Sequence, residues 1–82
     1  MKILISAKVF KQLNKLPESI RKLVVQKIEG LAQSSQNLNI KKLFGRDGFR
    51  LRAGNHRIIY KNLNRDEIII LSVKHRKDAY RR

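Results

Sequence analysis

Three arginines, Arg50, Arg52 and Arg57, flank the dipeptide Gly54-Asn55. Arginine carries a permanent charge on a planar fork that matches phosphate. Gly followed by Asn accepts the positive φ of a two-residue hairpin turn. The runs on either side are therefore expected to pair as strands, with Ala53 opposite His56, Arg52 opposite Arg57, Leu51 opposite Ile58, Arg50 opposite Ile59 and Phe49 opposite Tyr60. Side chains alternate across a strand. Phe49, Leu51, Ile58 and Tyr60 then share a core face. Arg50, Arg52 and Arg57 share the other, with Lys61 further along. Like charges directly opposite one another are destabilising, and no acid alternates with these to offset the cost. A solvated basic face is the bland explanation. Three guanidiniums on one rigid hairpin favour a site for an anionic ligand, phosphate above all.

The remaining elements must position that hairpin. Ile3-Leu4-Ile5 reads as a short strand. Ser6 is a plausible N-cap, followed by helical spacing through Phe10, Leu13 and Leu16. Pro17 closes that helix and suits the first turn of the next, as does Glu18. Ile20, Leu23, Val24, Ile28 and Leu31 recur at three- and four-residue steps and predict an amphipathic helix to about Leu31. Two helices joined so closely form an antiparallel hairpin. Residues 33–39 are polar and read as a loop. Lys41-Lys42-Leu43-Phe44 is a short strand or an extended lead-in, and Gly45-Arg46-Asp47-Gly48 is a turn. After the central hairpin, a four-residue turn from Leu63 to Asp66 would set Tyr60 against Ile69, Ile58 against Leu71 and Arg57 against Ser72. Ile69, Leu71 and Val73 then join the core, and Ile59, Ile68 and Ile70 fall beside the arginines. The fold class is α+β in two layers: an N-terminal strand, an αα-hairpin, then an antiparallel strand meander (β-α-α-β-β-β). The helices cover one sheet face only. Arginines beside isoleucines on the other face suggest a protein partner that docks apolar residues and acids there.

With 82 residues the chain is expected to be a single domain spanning 1–82. A domain of that size buries only about 60% of the surface its unfolded chain exposes. The net charge is +14, which suits a polyanionic partner: nucleic acid first, an anionic membrane second, an acidic protein third. There is no cysteine, so disulfides and thiolate zinc sites are excluded, and a cytoplasmic setting fits. Two histidines are too few for a convincing zinc site. The apolar run in Met1-Lys2-Ile3-Leu4-Ile5-Ser6 is too short for a signal peptide or a membrane span.

Lys42-Leu43-Phe44-Gly45, then Phe49-Arg50-Leu51-Arg52-Ala53-Gly54-Asn55-His56-Arg57-Ile58-Ile59-Tyr60, then Ile70-Leu71-Ser72-Val73-Lys74-His75-Arg76-Lys77-Asp78-Ala79-Tyr80 resemble the RelE branch of the RelE/ParE toxin superfamily. Its pattern is roughly a "KL-G", a "YRLR-G-YRVIY" and a terminal "VL-V-HR---Y". The resemblance covers most of the chain. It implies the toxin of a type II toxin–antitoxin pair, a ribosome-dependent endoribonuclease that cuts messenger RNA in the A site. The 2′-hydroxyl attacks the adjacent phosphate, with neither metal nor cofactor. Such chemistry needs charge stabilisation on the phosphate, a proton acceptor and a proton donor.

Carried over by the resemblance, Arg50 and Arg52 match basic residues of the first hairpin strand, and Arg57 matches the arginine opening the second. Arg76 matches an arginine at the leaving group, and Tyr80 a terminal tyrosine that orients the substrate base. Lys41, Lys42, Arg46, Lys61, Lys74, His75, Lys77 and Arg81 are further expected RNA contacts. Arginine makes a poor general base because its pKa lies above about 12. His75 is the other nearby group that titrates near neutrality, with a loop histidine touching RNA or solvent as the plainer alternative. His56 falls on the core side. The expected partners are a cognate, acidic antitoxin, the ribosome and its messenger. No membrane is expected, and DNA only through a toxin–antitoxin complex. Two other functions share these features. One is a ParE-like poison of gyrase, and the other is a non-catalytic basic module that binds RNA or DNA.

Overall fold

The computed structural model describes residues 1–33 and 38–75. Strand β1 (Lys2–Ile5) leads into helices α1 (Ala7–Asn14) and α2 (Glu18–Ala32). Strands β2 (Ile40–Lys42), β3 (Phe49–Ala53), β4 (His56–Asn64) and β5 (Glu67–His75) follow. They form one sheet in the order β1-β5-β4-β3-β2. The last four strands pair antiparallel, whereas β1 lies parallel to β5. The sheet is therefore mixed. A parallel neighbour requires a crossover, and the two helices lie within the connection from β1.

Local chemistry accounts for the helices. The Ser6 hydroxyl accepts a hydrogen bond from Val9 N at 3.2 Å, satisfying a donor that the first turn leaves open. Pro17 stands at the N-cap of α2. Val9 and Leu13, one turn apart on α1, are buried with Val24, Ile28 and Leu31 of α2. Phe10 is a correction to the expected apolar stripe: it is 61% exposed, because the Val9–Leu13 stripe faces the sheet and Phe10 lies one step round the helix. Opposite the helices the core takes Leu51, Ala53, Ile58, Tyr60, Ile68, Ile70 and Val73.

The central hairpin has the expected register at all five pairs, from Phe49–Tyr60 to Ala53–His56. Gly54 turns it with φ +60°. The Phe49 and Tyr60 rings stack with centroids 5.4 Å apart. Burial pushes the Tyr60 hydroxyl above its ordinary pKa, since the charged form would be poorly solvated. Strand β2 ends at Lys42, two residues before Phe44, which is fully exposed. Leu43 N donates to Gly48 O at 3.0 Å to close the following loop. Gly48 has φ +126°, and a Cβ there would lie 2.9 Å from Tyr60 O. Gly48→Ala is expected to cost about 2 kcal/mol or more, from backbone strain and that clash, read as a lower urea midpoint.

The β4–β5 register differs from the expected one. Tyr60 pairs with Ile70, Ile58 with Val73 and Arg57 with Lys74. The four-residue turn is absent. Asn64 pairs with Glu67, leaving Arg65 and Asp66 as a two-residue turn. The Asn64 side chain accepts from Asp66 N at 2.8 Å and donates to Glu67 Oε1 at 2.6 Å, an Asx arrangement that substitutes for a longer loop. Two irregularities follow, one passing Leu63 on β4 and one passing Leu71 on β5. Each extra residue changes which side chains point inward. Ile68 and Ile70, expected beside the arginines, are 3% and 0% exposed in the core. Ile69 and Leu71, expected in the core, are only half-buried, whereas Val73 is buried as expected.

Candidate nucleic-acid interface

The helices pack on one face of the sheet and leave the other open to the basic residues. Register determines which of these meet. Arg52 on β3, Arg57 on β4 and Lys74 on β5 are directly paired and form a row of three cations across three strands. The adjacent row runs Lys41, Arg50, Ile59, Ser72. Neighbouring strands lie about 4.8 Å apart, so the charges of one row are held close together. Among the described residues neither Arg50 nor Arg52 enters an ion pair; Glu18 and Lys22, 3.3 Å apart, pair on the exposed face of α2. Arg50 Nε is shielded and has no hydrogen-bond partner among the described residues. A cationic donor left in that state costs stability, on the order of 1–3 kcal/mol.

Between the two rows lies a recess of about 190 Å³, lined by Leu43, Arg46, Arg50, Arg57, Ile59, Ser72 and Lys74. Leu43 and Ile59 are its apolar residues. Among the described residues four cations surround it and no carboxylate lines it. Chemically, this arrangement can hold a phosphate and stabilise charge growing on it. Among the described residues no group of three or more His, Asp or Glu is placed to hold a metal.

The expected site residues thus divide. Arg50, Arg52, Arg57, Lys41 and Lys74 share the open face by register, and Arg46 joins them from the β2–β3 loop. Lys42 pairs with Phe49 and so sits on the opposite alternation from Lys41. With Lys61, Asp47 and Asn62 it lines a separate recess beyond the end of β3. His75 is also separated from the arginines. It pairs with His56, and the rings meet edge to face with centroids 5.0 Å apart. Both border a cavity with Gln12, Lys15 and Leu16 of the α1 end, on the helix side. Gln12 Oε1 accepts from Val73 N at 2.8 Å, tying α1 to β5 there. His56 is 7% exposed, in keeping with its expected core position. Arg76, Lys77, Tyr80 and Arg81 lie outside the described residues. Leu43 was not among the expected site residues. Ser72 was expected on the arginine face opposite Arg57; the β5 irregularity sets it instead opposite Ile59.

Comparison with known proteins agrees with this architecture. Residues 3–80 match the family described as the ParE toxin of type II toxin–antitoxin system, parDE. The chain is 40% identical to Toxin RelE3 of Methanocaldococcus jannaschii over 86 aligned positions, covering 98% of this chain and 96% of that protein. Its fold is similar to the crystal structure of the RelB-RelE antitoxin–toxin complex from Methanococcus jannaschii, with TM-score 0.76, 36% identity and 94% of each chain covered. It is also similar to the archaeal RelE-RelB complex from Pyrococcus horikoshii, with TM-score 0.74, 27% identity and coverage of 92% and 93%. With its helical layer on a mixed sheet, an open basic face and these relatives along nearly its whole length, the chain belongs to the RelE branch of the RelE/ParE superfamily, the toxins of type II toxin–antitoxin systems.

Proposed function

We propose that this chain is a ribosome-dependent endoribonuclease that cuts messenger RNA in the ribosomal A site. The observation that carries the proposal is the Arg52–Arg57–Lys74 row beside a recess whose described lining holds four cations and no carboxylate. In the reaction a 2′-oxygen forms a bond to the adjacent phosphorus and the bond from phosphorus to the 5′-oxygen breaks. The products are a cyclic phosphate and a free 5′-hydroxyl. Arg52 and Arg57 stabilise the added charge on the phosphate, where preorganised donors are worth most. Arg76 serves the leaving oxygen, and Tyr80 orients the substrate base. Arg50 holds its guanidinium against the same recess. Charge also draws the protein to ribosomal RNA and speeds encounter with an acidic antitoxin. The RelB-bound relatives support a cognate antitoxin as the partner. The site of action is the cytoplasm, where ribosomes translate.

The family description also names ParE, which makes gyrase poisoning the second reading. Purified protein and its Arg76→Ala variant, incubated with messenger alone or on programmed ribosomes, separate the two. Cuts that require ribosomes and disappear with Arg76→Ala are the expected result. Intact messenger together with DNA damage in exposed cells would favour gyrase. Salt-sensitive RNA binding without cuts would leave a binding module.

A further inference from the structure

Ser72 stands out on the open face. It is 8% exposed and lies mid-strand opposite Ile59, with Arg50 one strand further on. Strand positions favour β-branched and aromatic residues, and isoleucines occupy the neighbouring positions 68, 69 and 70 of β5. A hydroxyl here adds little to packing. It has no hydrogen-bond partner among the described residues, yet it lines the recess. Among the described residues the recess combines apolar Leu43 and Ile59 with the Ser72 hydroxyl and a rim of Arg46, Arg50, Arg57 and Lys74. At about 190 Å³ it is smaller than the roughly 300 Å³ at which pockets for whole small molecules begin. It has room for one flat ring rather than a complete nucleotide. Cations around an apolar floor suit a base whose flanking phosphates stay at the rim. A base can enter only when unstacked, as in a single strand.

We infer that this recess takes one unstacked base of a single-stranded RNA, and that the Ser72 hydroxyl hydrogen-bonds to that base's edge and so selects it. This rests on RNA being the ligand of the arginine face. Contacts from the cations to phosphate carry no sequence information. Among the described lining residues Ser72 is the neutral donor and acceptor placed within the recess, so discrimination is assigned to it.

The test uses the full chain and four single-stranded 2′-O-methyl RNA hexamers, one for each base, which cannot undergo 2′-hydroxyl attack. Fluorescence anisotropy reads affinity across a salt series. Wild type is expected to prefer one hexamer. Ser72→Ala is expected to shrink that preference by about three- to tenfold, the worth of one hydrogen bond, with an unchanged salt slope. Ser72→Leu fills the recess and is expected to weaken all four; a thermal melt of each variant verifies folding. Equal binding of the four hexamers by wild type, or a preference untouched by Ser72→Ala, would overturn the base pocket. If Arg52→Ala still weakened all four in that case, RNA would remain the ligand. No binding of any hexamer by folded wild type would overturn the pocket, while messenger cleavage on programmed ribosomes separately decides whether RNA is the ligand of the arginine face.

Discussion

Arg52→Ala is expected to lower messenger cleavage on programmed ribosomes by about 10²- to 10³-fold, the usual loss when one preorganised donor to a developing oxyanion is removed. The same change is expected to leave stability unchanged within about 0.5 kcal/mol, or to raise it. Arg52 is exposed, enters no ion pair among the described residues and lies directly opposite Arg57. Facing like charges across a strand pair cost roughly 0.2–1 kcal/mol, and the substitution relieves that. Most inactivating substitutions in a small domain act by unfolding it, so activity and stability moving apart is diagnostic. Single-turnover cleavage and a urea titration on the same preparation measure both quantities. A folded Arg52→Ala protein that cuts at the wild-type rate would take the Arg52–Arg57–Lys74 row out of the reaction. Equal losses in activity and stability would make Arg52 a packing residue.

Ile70→Ala is expected to be among the most destabilising single changes in the chain, at about 2–5 kcal/mol. Ile70 has no exposed surface, pairs with Tyr60 and belongs to the main cluster packed under the helices. Small domains hold only about 5–15 kcal/mol in total, so the variant loses a large share of it. Ile69→Ala, one residue away, is expected to cost about 1 kcal/mol or less. Ile69 is half-buried and pairs with Lys61 on the open face. Far-UV circular dichroism through a urea titration of the two variants reads the difference directly. The reverse order of effects would mean that β5 presents its other face to the helices and that the irregularity at Leu71 is displaced.

That pair of isoleucines marks the boundary between local and tertiary information. The central hairpin is legible from residues 49–60 alone. Gly54-Asn55 demands a two-residue turn, the turn sets the register, and strict alternation then separates three arginines from the core. The two helices are equally local, with Ser6 capping one and Pro17 opening the other. Motifs in the C-terminal half carry the resemblance to RelE toxins, and similarity along the whole chain bears it out. The face of β5 was not available in this way. Ile68, Ile69, Ile70 and Leu71 form an unbroken apolar run, so alternation gives no clue to which of them point inward. The choice is made by the Asx bonds of Asn64, which shorten the turn, and by the residues passed over at Leu63 and Leu71. Contacts with the helices and with Tyr60 reward Ile68 and Ile70 for being inside. The same shift moves Lys74 into line with Arg52 and Arg57 and moves Ser72 from opposite Arg57 to opposite Ile59. Local rules along the chain are enough for an arginine-faced hairpin on an α+β scaffold. Which residues of the last strand stand beside those arginines is set by packing across the whole sheet, because a one-residue slip costs nothing locally and is resolved only by burial.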